Sequence, residues 1–277
     1  MSAGVRTRVP RTGRRRRVRA PRPVVVAAAL GAAFILLPFV GLLRRVRWAS
    51  LPGDLGAGPA RTALLLSLGS SLAATALALV LGAPLAWVLA RMDFRGRGVL
   101  RALVTLPMVL PPVVGGAALL AAWGRSYGLL GAWLHDAAGV QLTFSWWGVV
   151  VAEAFVAMPF LVLALEGGIA SVDRRYEQAA ATLGAAPMAR LALVTGRLLL
   201  PSLAAGLALA WARALGEFGA TITFAGNIEG RTQTAPLAVY LLLESDPEAA
   251  YALSVALVAV CVAVLAALRG RWWGVRR

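Results

Sequence analysis

The chain has 277 residues, 60% of them hydrophobic and 14% charged, and its formal net charge of +16 comes from arginine, with no lysine anywhere. Soluble domains sit nearer about 45–50% apolar and about 25% charged, so this composition excludes an ordinary soluble enzyme and points to a polytopic membrane protein with short loops. The arginines flank apolar runs instead of covering one folded face, which argues against nucleic acid as a partner.

Residues 1–22 carry nine arginines, including Arg14 to Arg17, and read as a basic cytoplasmic N-terminal tail. The apolar run at 24–43 is of spanning length and has no convincing small-residue cleavage site. It reads as an uncleaved first transmembrane helix, not a signal peptide. Span two is expected at 62–90, followed by a basic loop with Arg91, Arg95, Arg97 and Arg101. Span three, 102–123, contains Pro107, Pro111, Pro112 and the pair Gly115-Gly116. Proline removes a backbone donor and kinks or breaks a helix. In lipid that is tolerated only where neighbouring helices or a wet cavity satisfy the freed carbonyls. A packing kink and a pathway-lining segment both fit.

Residues 124–145 read as a loop with a short helix at 129–138, and His135 as a solvated residue within it. Span four, 146–165, opens on Trp146 and Trp147, as membrane-interface aromatics do. The segment 171–201 is polar and alanine-rich at its start. Helix formers run to Leu183, Gly184 interrupts and Pro187 restarts, which predicts a helix, a glycine turn and a second helix. Span five is expected at 198–215, a polar segment follows, and span six lies at 249–268. Residues 269–277 form a second basic cytoplasmic tail. The expected fold is therefore all-α, with a transmembrane domain of about six spans over residues 23–268. With the N-terminus inside, 21 of the 28 arginines fall on the cytoplasmic side and six outside, where Arg44, Arg45 and Arg47 run against the trend.

No catalytic constellation is present. The absence of lysine excludes Schiff-base and P-loop chemistry, and no H-E-x-x-H or G-x-S-x-G occurs. A single cysteine, Cys261, and a single histidine exclude an internal disulfide and a cysteine-based metal site. The expectation is a chain that is no enzyme and binds no metal or cofactor. What stands out is charge inside the apolar spans: Glu153 in span four, Arg213 near the end of span five, and Glu217 four residues later. Such groups are costly in a bilayer and face a bundle interior or a cavity. They read as a structural ion pair, Glu153 with Arg213, or as the lining of a solute route tuned for an anion.

The run YEQAAATLGA, with Val194 and Pro201 beyond it, resembles the cytoplasmic EAA loop of ABC importer permeases. Gln178, Ala179 and Ala180 take the E-A-A places and Gly184 the glycine place. Glu177 falls one position early, and Gly196-Arg197 stands where that family has Leu-Pro. PLAWVLAR, LPMVLPPVVGGAALL, FVAMPFLVLALEGGIASVD and ALGEFGATITFAGNIEGRTQTAPLAVY resemble the molybdate permeases, and sulfate and thiosulfate permeases less closely. The resemblance covers about residues 60–268. It implies a type I importer permease fold in a prokaryotic plasma membrane, both termini cytoplasmic. It implies a homodimer whose coupling residues Glu177, Gln178, Ala179, Ala180 and Gly184 meet a cytoplasmic ATP-binding subunit that holds ATP and Mg. An extracytoplasmic binding protein would deliver the oxyanion, molybdate first, with sulfate, thiosulfate or tungstate as alternatives. A secondary transporter is the rival from another class, but only span three is heavily broken and no internal repeat is visible. A membrane-embedded enzyme would need more titratable or metal-binding residues in its spans.

Overall fold

The computed structural model describes residues 21–56 and 58–273, with side chains to 266. Most of the basic N-terminal tail and the end of the C-terminal one therefore lie outside the described residues. All regular structure among the described residues is helical, as expected. The described residues fall into two units, one that ends at Arg44 and one that begins at Arg45. The helix of the first is α1, Arg22–Arg45, long and apolar enough to span a membrane.

The second unit begins with α2 (Leu51–Gly56) and α3 (Gly58–Arg91). The predicted third span is two helices, α4 (Arg97–Val109) and α5 (Pro112–Trp123). Leu110 and Pro111 between them are extended, with ψ of 139° and 131°. The three prolines therefore act unequally. Pro107 is carried inside α4, Pro111 helps set the extended joint, and Pro112 starts α5, where its missing N–H costs nothing. A short helix, α6 (Gly131–Ala138), follows and includes His135, which is half-buried and not a solvated loop residue.

Helix α7 (Trp146–Ser171) starts at Ser145, whose hydroxyl accepts from the Gly148 N–H at 3.1 Å. It is the centre of the bundle: 67% of its most apolar stretch is buried, against 33% for α3. Helix α3 meets it along a row of small residues, Ser67, Ser70, Ser71, Ala74, Ala78, Gly82 and Ala86. Small side chains let helix backbones approach closely, which drives helix association where lipid removes the usual hydrophobic gain. At Gly82 a Cβ would already press on Met158 and Val162 at 3.2 Å.

The segment 171–201, the elbow between α7 and span five, forms the expected helix, glycine turn and second helix. Helix α8 (Arg174–Thr182) is followed by a turn at Gly184, α9 (Pro187–Arg190), a π-helical turn (Leu191–Thr195) and α10 (Gly196–Leu215). The helical run into span five thus begins at Pro187, earlier than residue 198, and carries Gly196 within it. Helix α10 packs on both α7 and α3.

The polar segment after span five holds a further helix. Residues Gly219–Phe224 form α11, which is buried against α5 and α7, with Ala220, Thr221 and Phe224 at 0% exposure. Short helices with breaks can lie inside a membrane domain when protein, not lipid, surrounds them. Helix α12 (Ala235–Ser245) packs on α3 and α13 (Pro247–Trp273), and α13 also touches α2 and α10. Among the described residues five helices, α1, α3, α7, the run through α10, and α13, are long and apolar enough to span a membrane, and the expected third span is the one that is divided, into α4 and the short apolar α5.

Candidate functional site

Two groups of polar residues stand out, one inside the bundle and one at the elbow. Inside, Arg213 and Glu217 sit at the end of α10. Arg213 Nη2 lies 2.6 Å from Glu217 Oε2, although the helix stops at Leu215. The other carboxylate oxygen, Oε1, accepts from the Ala220 N–H at 2.7 Å. One buried carboxylate therefore joins the last turn of α10 to the first of α11 and satisfies a donor that a helix start leaves free.

Glu153 does not pair with Arg213 as expected. Its Oε1 accepts from the Ser70 hydroxyl at 2.9 Å, bridging α7 to α3, and its Oε2 has no hydrogen-bond partner among the described residues. The reason for the altered pairing is local: Glu217 is four residues from Arg213 and needs no second helix to reach it, so it takes the guanidinium first. On the same α3 face, Ser67 Oγ accepts from the Ala235 N–H at 2.6 Å and anchors the start of α12. These hydroxyl contacts were not singled out in the sequence, where serines in an apolar helix at helical spacing were the available signal.

At the elbow, Asp173 caps α8 by accepting from the Arg175 N–H at 2.9 Å. Gly184 has φ +80°, a left-handed conformation that glycine adopts freely, and a Cβ there would meet nothing within 4 Å. Gln178 and Ala179 are exposed and Ala180 half-buried. Around them Tyr176, Leu183 and Met188 present apolar surface, Leu183 at 88% exposure. Glu177 is the exception among the five elbow residues. It faces inward, where Oε1 accepts from Arg91 Nη2 at 2.9 Å and from the Thr195 hydroxyl at 2.7 Å. A second ion pair at this end joins Arg101 of α4 to Glu166 of α7, two residues far apart in sequence that no local pattern links. Arg47, of the unexplained arginine cluster, pairs with Glu248 at the start of α13. No group of three or more His, Cys, Asp or Glu able to hold a metal occurs among the described residues.

Residues 78–272 match the profile of the family described as the binding-protein-dependent transport system inner membrane component. The chain is 48% identical over 253 residues to the molybdenum transport system permease protein ModB of Mycobacterium tuberculosis, covering 91% of this chain and 94% of that one. Its identity to the sulfate transport system permease protein CysT of Escherichia coli is 38% over 182 residues, 65% of each chain. Among solved structures, a bacterial ABC transporter involved in alginate import superposes with a TM-score of 0.68 at 15% identity, covering 92% of this chain and 96% of that one. At that identity the likeness speaks for the fold alone.

Proposed function

The chain belongs to the binding-protein-dependent transport system inner membrane component family, and we propose that it is the permease subunit of an ATP-driven importer for molybdate. The observation that carries the substrate is near full-length 48% identity to a molybdenum permease, against 38% over a shorter stretch for a sulfate permease. Tungstate, which shares the tetrahedral dianion form, falls in the same class.

In this reading the elbow docks on a cytoplasmic ATPase that holds ATP and Mg, and the chain itself binds neither. The exposed Leu183 and Met188 supply apolar contact, the exposed Gln178 a polar one, the small Ala179 and Ala180 allow close approach, and the Gly184 turn sets the angle. Two copies enclose the route, and a binding protein delivers the anion on the opposite face. The arginine bias supports a plasma-membrane orientation with both termini inside. Glu153, Arg213 and Glu217 border the route. Their carboxylates outnumber the guanidinium, so we assign them to holding α11 and α3 in place beside the anion, with the partly exposed Arg213 the member an anion would meet. ATP-driven closure of the ATPase pair moves the elbows and alternates access.

The test is uptake of labelled molybdate by liposomes holding the chain with its ATPase and binding protein, with sulfate and tungstate as competitors. ATP-dependent uptake suppressed by tungstate is expected. Uptake driven by an ion gradient without the ATPase, or uptake of sulfate alone, would overturn the proposal.

A further inference from the structure

We propose that Arg91 is a positioning residue for coupling: through Glu177 it fastens the elbow helix α8 to the end of α3, so that movement of α8 reaches α3 as well as α10. This rests on the importer reading above. Helix α8 packs mainly on α9 and the π-helical turn, which belong to its own chain neighbourhood. The link to α3 is a side-chain bridge across 86 residues of sequence.

The bridge is built for rigidity. Arg91 is 10% exposed and Glu177 29%, so the pair is largely out of water and its hydrogen bond is charge-assisted. The same Glu177 oxygen accepts from Thr195, which is 1% exposed and ends the π-helical turn leading into α10. A π-helical turn inserts an extra residue in the helix repeat and commonly marks a functional position. One carboxylate oxygen thereby ties together α8, the end of α3 and the lead-in to α10.

Helix α3 is the element through which such a tie acts at a distance. It carries Arg91 at one end and, 21 residues earlier, Ser70, which holds Glu153; at about 1.5 Å per residue the two are about 30 Å apart. Ser67, on the same face, holds the start of α12. A shift of α3 imposed at Arg91 is therefore delivered to the buried contacts that position α7 and α12. Without the bridge α8 still docks, but it moves against α3 instead of with it.

The experiment uses the full importer in liposomes and measures ATP hydrolysed per molybdate taken up, together with co-purification of the ATPase. Arg91→Gln should co-purify normally and raise the ratio about tenfold, the shift expected from losing one desolvated charge-assisted bond. The single reversals Arg91→Glu and Glu177→Arg should do the same, and the double reversal should return the ratio toward wild type. An unchanged ratio in Arg91→Gln, or a double reversal no better than the singles, overturns the inference. If Arg91→Gln does not assemble, the double reversal decides: assembled and coupled supports the bridge, whereas assembled and uncoupled, or unassembled, assigns Arg91 to folding and overturns it. A wild-type importer that takes up no molybdate with ATP refutes the importer reading itself, whereas a coupled wild type with an unaffected Arg91→Gln refutes only the bridge.

Discussion

Arg213 and Glu217 meet at 2.6 Å across the end of α10, and the same carboxylate caps Ala220 on α11. The pair therefore fastens a short buried helix onto a long one. Removing one member of a buried pair strands the other charge, at a cost of about 3–5 kcal/mol. Arg213→Ala should lower stability by that order, measured as thermal unfolding in detergent. Arg213→Met combined with Glu217→Gln should lose much less than the sum of its singles. Coupling of Arg213 to Glu153 larger than its coupling to Glu217 would contradict this geometry.

Ser70 is the hydrogen-bond donor to Glu153 between α3 and α7. Interhelical side-chain hydrogen bonds in membrane domains contribute about 0.6 kcal/mol on average and up to about 1.7 kcal/mol. Ser70→Ala should fall in that range. Glu153→Gln, which can still accept from Ser70, should cost less than Glu153→Leu, which leaves the hydroxyl only its longer 3.4 Å contact with the Ser67 carbonyl oxygen on its own helix. Equal losses in the two Glu153 variants would show that the contact is not what holds the helices there.

Gly116 of α5 sits where a Cβ would lie 2.6 Å from Thr223 Cβ and 2.9 Å from the Ala220 carbonyl oxygen of α11. Overpacking of this kind costs about 1–3 kcal/mol. Gly116→Val should destabilise the domain and lower molybdate uptake together. Gly167→Ala on α7 is the control, because a Cβ there meets nothing within 4 Å. Its unfolding temperature should be unchanged or slightly raised.

Gly184 has open space around it but a φ of +80°. An L-residue in that conformation costs about 1–2 kcal/mol, and a charged one also alters the face proposed to meet the ATPase. Gly184→Asp should insert in the membrane at wild-type levels yet hydrolyse ATP without matching uptake. Gly184→Asn, which tolerates the left-handed region better, should retain more coupled transport. Normal coupling in Gly184→Asp would show that the turn is not the docking point.

The sequence made the long spans visible because each is set by a local quantity, an apolar run of bilayer length, and α1, α3, α7 and α13 appear where hydropathy placed them. The broken third span was equally visible, since proline acts on its own backbone and the break falls at Pro111. The elbow was legible through Gly184 and Pro187 for the same reason.

Other features were decided only by tertiary structure. Residues 219–224 lie in a segment that reads only as polar, and they form a short helix that is buried against α5 and α7. Glu153 chose Ser70 over Arg213, and Glu177 turned inward to Arg91, 86 residues away. Hydropathy and turn chemistry are properties of neighbours along the chain, whereas the partner of a buried charge is chosen by which helices come within hydrogen-bond distance. For Glu177, that choice joins α8 to the bundle.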